Sequence, residues 1–176
     1  MSRCTTLSAP RWSGLGLLSL LVLAPFAGAG AAPPSPPPPS PSPLLLGLLG
    51  DFDRPITPEL ATLLATQLGG DEELGRQLRQ VAADPAQRRY LRVRATGALA
   101  LLPTPDNREA LQQLLQGADD PEVRVQAVVA LGSGWYARDR QGVTVWLQQL
   151  TRTGELAVAQ AARRTLDRLQ QPSPAR

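Results

Sequence analysis

Histidine and lysine are absent from this 176-residue chain, and all 18 of its basic residues are arginine. Cysteine occurs once, at Cys4, and aromatic residues make up 4% of the sequence. Each absence removes a chemistry. Without imidazole or a side-chain amine there is no serine–histidine triad, no Schiff base and no phosphate-loop lysine. With a single thiol there is no internal disulfide, and zinc ligation by His and Cys is excluded. Proline and glycine, by contrast, are plentiful, at 18 and 15 residues. The length accommodates one domain plus an appendage. Against 15 acids the arginines leave a formal net charge of +3. Whether that basicity points to nucleic acid depends on where the charges lie.

Part of it lies in the first thirty residues. Arg3 and Arg11 precede the apolar run Gly14–Phe26, and Ala27-Gly28-Ala29 and Ala29-Gly30-Ala31 both satisfy a small-x-small cleavage pattern. This predicts a signal peptide over residues 1–31, with an uncleaved anchor as the alternative. A bilayer span takes about 20 apolar residues, more than the run supplies without weak Gly and Ala. Setting Arg3 and Arg11 aside leaves 16 arginines against 15 acids, so the remainder is nearly balanced. Residues 32–56 read as a linker. Pro33–Pro43 (PPSPPPPSPSP) favours an extended polyproline II spacer reaching roughly 30 Å, or alternatively a ligand for a proline-binding groove. The short apolar run Leu44–Leu49 is expected to dock on the first helix of the body.

From Ile56 onward, apolar residues recur at helical spacing. Thr57-Pro58, Asp84-Pro85, Thr104-Pro105 and Asp120-Pro121 are four copies of one helix-start signal: an oxygen to cap free N–H groups, then a proline that needs no partner. Asp71, followed by two glutamates, is a fifth. The pattern predicts helices near 58–68, 72–83, 85–102, 105–116, 121–132, 140–151 and 155–170, a folded domain over 57–170 and a disordered tail over 171–176. The helices also repeat. Leu91–Leu99 aligns with Val123–Leu131, 32 residues later, and Val158, Ala162 and Leu166 follow 35 residues on. Leu111–Leu114 recurs as Leu147–Leu150. Such a period marks a stacked solenoid. Ala95, Ala127 and Ala162 would let helices approach closely while flanking Leu and Val fill the core.

The run Asp120–Gly132 resembles the Asp-Pro-x-Val-Arg-x-x-Ala-x-x-Ala-Leu-Gly pattern of the HEAT-repeat family, above all the short bacterial repeats first noted in phycobilin lyases. Leu91–Leu99 fits less fully, its Asp84-Pro85 start lying about one helical turn too early. The last copy has Glu155-Leu156 for Asp-Pro. The resemblance covers roughly residues 72–170. It implies an all-α fold, a short α-solenoid of about three HEAT-like hairpins with an N-terminal capping helix. Arg163, Arg164 and Arg168 would give the last helix the polar face of a C-terminal cap. The family pattern says almost nothing of activity.

Two places stand out for binding. Arg92 and Arg124 occupy equivalent positions and, with Arg88 and Arg89, could form a basic ladder that grips acidic partners. Alternatively, as the resemblance implies, such arginines bond to the aspartates that cap neighbouring repeats. Gly132–Arg140 reads as a loop behind a glycine cap, placing Trp135 and Tyr136 beside Arg138 and Arg140, residue types enriched at binding hot spots. Trp135 could equally close the gap between hairpins. The acids Asp51/Asp53, Asp71–Glu73 and Asp119/Asp120 mostly coincide with helix starts, where capping explains them, and no metal, cofactor or catalytic set is assigned.

The expected function is therefore an exported, periplasmic or secreted scaffold that binds a protein or peptide of the cell envelope through its helical groove or the 132–140 loop. The expectation includes no nucleic-acid partner and contact with the membrane only through the leader, if uncleaved. The alternative is a HEAT-like enzyme or enzyme accessory, of lyase type or a carboxylate-dependent hydrolase. The abundance of Arg, Ala, Gly and Pro without lysine suggests a GC-rich, bacterial genome.

Overall fold

The computed structural model describes residues 39–152 and 155–171, and all regular structure in them is helical. The leader, most of the proline-rich segment and the last five residues lie outside the described residues. Eight α-helices follow in order: α1 (Pro43–Gly50), α2 (Pro58–Leu68), α3 (Asp71–Ala83), α4 (Arg89–Ala98), α5 (Pro105–Gly117), α6 (Pro121–Trp135), α7 (Arg140–Leu150) and α8 (Leu156–Gln170). A 3-10 turn, Leu99–Leu101, extends α4.

Three of the four proline start signals work as the sequence suggests. Thr57 Oγ1 accepts from the Leu60 amide, Thr104 Oγ1 from Asn107, and Asp120 Oδ1 from Glu122, each followed by proline at the first helical position. Asp84-Pro85 does not start a helix. Asp84 instead ends α3 and closes a turn, its Oδ1 accepting from the Ala86 amide at 2.9 Å and its carbonyl from Gln87 at 3.1 Å. The turn satisfies the same oxygens that a cap would use, and α4 begins one turn later, at Arg89. At its other end α4 gives way to the 3-10 turn and stops at Leu102, before Pro103, where a preceding residue is kept out of the helical region. Between α2 and α3 the chain reverses through Gly69 and Gly70, at φ +100° and +122°, a conformation that side chains disfavour.

The apolar run before the expected domain is a helix in its own right. Ser42 caps α1, and Leu45 and Leu49, at 1% and 0% exposure, are buried in the common core. Burial of this order is worth about 1.5–3 kcal/mol for each leucine. α1 packs on α4. Leu45 also shares a small apolar space with Ala61 and Leu64 of α2, so its docking extends beyond the first expected helix. The start of α1 is fixed by a polar chain. The Ser42 amide donates to Gln77 Oε1 at 2.8 Å, Gln77 Nε2 donates to Glu73, and Glu73 accepts from Arg76 through both oxygens. These bonds hold the Glu73 carboxyl down at about 2, Arg76 contributing most.

Sequence neighbours pair as α3 with α4, α5 with α6 and α7 with α8. The second members also pack on one another, α4 on α6 and α6 on α8. Ala95, Ala127 and Ala162 are each at 0% exposure on these three helices, and the flanking Leu91, Leu99, Val123, Leu131, Val158 and Leu166 are buried with them. Equivalent sequence positions thus have equivalent burial, and the small side chain at each lets neighbouring helices approach closely. Arg163, Arg164 and Arg168 lie exposed on α8. No described helix is long and apolar enough to cross a membrane.

Candidate functional site: helix-end arginines and the α3–α5 cleft

Arg92 and Arg124 each finish the helix that precedes their own. Arg92 Nε donates to the Ala82 carbonyl at the end of α3, at 3.2 Å, and Arg124 Nη1 donates to Ala118 at the end of α5, at 3.0 Å. The last carbonyls of a helix lack intrahelical donors, and a cation there also meets the negative end of the helix dipole. Arg124 adds an ion pair with Glu155, at 2.9 Å, just ahead of α8. Arg89, one turn before Arg92, binds Asp120 at 3.1 Å and also pairs with Glu122, both at the start of α6. In these ion pairs arginines bond to acids at the start of the second helix of the following pair. Arg92 takes no part in them. Arg88 is exposed and donates to the Tyr90 hydroxyl at 3.4 Å.

The second candidate place differs from the sequence expectation. Residues 132–135 are not loop, because α6 continues to Trp135 and the break is confined to Tyr136–Asp139. Gly132 and Gly134 serve close packing and do not cap the helix. A Cβ on Gly132 would lie 2.5 Å from Thr165 Cγ2, and one on Gly134 would lie 2.9 Å from the Ala100 carbonyl oxygen. The absent side chains let α6 press on α8 and on the end of α4. Trp135 is buried at 6% exposure, beside a pocket of about 70 Å³ that it shares with Trp146. Small-molecule sites usually need some 300 Å³ or more. Tyr136 is half-buried, with Arg140 stacked 5.5 Å from its ring centre and Arg140 Nε donating to its hydroxyl at 2.8 Å. Arg138 donates to the Pro103 carbonyl and so ties the turn to the chain ahead of α5. The turn brings Tyr136, Arg138 and Arg140 to the surface and leaves Trp135 in the core.

A larger cleft of about 400 Å³ opens between the C-terminal halves of α3 and α5. Arg79 and Arg92 line it together with Gln113 and Asp119, over an apolar wall that includes Ala83, Pro85, Ala110 and Leu114. Arg79 is positioned from below: its Nη1 donates to Asn107 Oδ1, and Asn107, at 1% exposure, donates to the Leu102 carbonyl at 2.7 Å. Sequence reasoning missed Arg79, because the Asn107 that orients it lies 28 residues away on another hairpin. It also missed a surface cluster in which Phe52 and Tyr90 pack with ring centres 4.8 Å apart and planes tilted by 46°, and Arg94 lies 6.0 Å over Phe52. The visible signal there was Phe52 itself, an aromatic between two aspartates. Arg94 is held by the Arg54 carbonyl at 2.6 Å.

The described residues contain no group of three or more His, Cys, Asp or Glu side chains able to hold a metal ion. Asp120 spends its oxygens on the α6 cap and Arg89, and Glu73 spends its own on Arg76 and Gln77. Compared with known proteins, the chain matches no family model, and no curated protein or solved structure is similar to it at a significant level.

Proposed function

We propose that the chain is a non-catalytic interaction module: an exported, short HEAT-like α-solenoid, closed at one end by α1 and α2 and at the other by α8, that offers a rigid helical surface to a protein or peptide of the cell envelope. The observation that carries this reading is the register of α4, α6 and α8. Ala95, Ala127 and Ala162 recur at equivalent positions, wholly buried, on helices that pack one on the next. Stacking of like hairpins produces the continuous surfaces through which solenoid proteins bind, and exposed arginines on α8 suit a terminal repeat that faces water. Export rests on the basic start and apolar run of the first thirty residues. The surfaces available to a partner are the Tyr136–Arg140 turn and the arginine-lined side near Arg88 and Arg92.

The test is affinity capture of the full chain from the cell envelope, followed by reconstitution with the purified partner. The reading expects a saturable complex that a charge-reversing pair, Arg138→Glu with Arg140→Glu, or the Arg88→Glu variant weakens while the thermal midpoint stays within a few degrees. Turnover of a substrate without a stable complex would overturn it.

A further inference from the structure

We propose that the cleft between α3 and α5 is a binding site for a single carboxylate carried on an apolar stem, held by the guanidinium groups of Arg92 and Arg79. Arg92 is 8% exposed, and among the described residues no carboxylate lies within 4.0 Å of it. Its Nε is satisfied by the Ala82 carbonyl, while its two terminal amino groups reach solvent and have no hydrogen-bond partner among the described residues. Its equivalent, Arg124, turns a terminal amino group to Glu155.

The acid that stands in the place of Glu155 one repeat earlier is Asp120, and it is already taken. Its Oδ2 meets Arg89 Nε at 3.1 Å, and its Oδ1 accepts the Glu122 amide at 2.9 Å. Arg92 is therefore an arginine of the repeat whose anionic partner has been given to another residue. It lines a cleft, together with a second arginine that also has no carboxylate within 4.0 Å among the described residues.

The chemistry of the ligand follows from the lining. Guanidinium groups match the planar oxygen pair of a carboxylate or the oxygens of a phosphate. Asp119 is the one acid in the lining beside the two arginines, so the lining carries one net positive charge and suits a monoanion better than a dianion. Ala83, Pro85, Ala110 and Leu114 provide an apolar wall for an aliphatic stem. Both an acidic side chain and the C-terminal carboxylate of a peptide have this chemistry. As the contact that a partner makes, the site rests on the interaction-module reading; as a pocket it is measurable alone.

The experiment follows the arginine Nε–H resonances of the full chain by NMR at constant ionic strength. Three probes are titrated: N-acetylglutamate α-amide, N-acetylalanine and inorganic phosphate. The proposal expects saturable shifts at Arg92 and Arg79 with one or both carboxylates, the better one naming the source, and weaker binding of phosphate. Arg79→Gln should weaken the carboxylate about ten-fold or more. Gln113→Glu, which adds an acid within the cleft, should block it, whereas Gln113→Leu should not. Shifts that rise without saturation to about 100 mM, as screening alone gives, would overturn the proposal. So would phosphate binding as tightly as the carboxylates, or indifference to Gln113→Glu. If titration fails while partner capture succeeds, the pocket falls and the module stands; the converse result separates them the other way.

Discussion

Replacing Gly132 by alanine tests the packing of α6 against α8 at one atom. In a helix interior the change should stabilise by about 1 kcal/mol, because glycine loses more backbone entropy on folding than alanine does. Here the new Cβ would lie 2.5 Å from Thr165 Cγ2 and 3.5 Å from Leu147 Cδ1. The first contact is about 1 Å too short. Thr165 cannot swing away cheaply: it is β-branched, 3% exposed, and its hydroxyl donates to the Ala161 carbonyl at 2.8 Å. Overpacking of this kind costs about 1–3 kcal/mol, so Gly132→Ala should be net destabilising by up to about 2 kcal/mol. Thr165→Ser deletes the obstructing methyl and keeps the hydroxyl, at a cost near 1 kcal/mol for the lost contact. The double variant should then recover stability, with a favourable coupling of about 1–2 kcal/mol. The assay is helical circular dichroism on heating, where about 3–5 °C corresponds to 1 kcal/mol in a domain of this size. Strict additivity of the two changes would refute the reasoning. It is also the result expected if Gly132 ended the helix, since strain at a cap is not relieved from α8.

Other perturbations read other parts of the fold. Ala127→Leu forces a large side chain into a site with 0% exposure on α6 and should destabilise by about 1–3 kcal/mol; an unchanged melting midpoint would contradict the register. Leu49→Ala should cost about 2–5 kcal/mol in the same assay if α1 belongs to the folded body, and nothing measurable if α1 is only an appendage. Glu73 has its folded-state pKa lowered from 4.5 to about 2 by Arg76 and Gln77, so folding favours its ionised form. That contribution is complete above about pH 4.5 and is lost as the pH falls toward 2. Stability measured against pH should therefore fall less steeply over that window in Glu73→Gln than in the natural chain.

The helices that the sequence made legible are those with their own punctuation. Thr57-Pro58, Thr104-Pro105 and Asp120-Pro121 carry the cap oxygen and the first-turn proline together, so α2, α5 and the start of α6 could be read locally. Asp84-Pro85 carries the same letters, yet its oxygens serve a turn, a choice made by how α3 ends against α4. α1 was hidden for a different reason. Eight residues are too few to show a helical period, and what holds them is Gln77 and the core, both supplied by later parts of the chain. A glycine is equally suited to ending a helix and to letting two helices touch, and what distinguishes the two at Gly132 is Thr165, supplied by α8, 33 residues later. For the arginines, the repeat exposed the equivalence of Arg92 and Arg124. It could not expose that Arg89 takes the acid Arg92 would otherwise meet, because that depends on side-chain reach between hairpins.

The central claim is that the stacked helices serve to present a binding surface, and site-directed photo-crosslinking tests it most directly. A photoreactive residue would be placed in turn at Arg88 and Arg138, on the proposed surfaces, and at Thr62 and Gln67, exposed on α2. Irradiation would be carried out in the cell that makes the protein. The account predicts one discrete adduct from the first two positions, absent from the two on α2. Adducts from every position alike, or from the α2 positions alone, would contradict it.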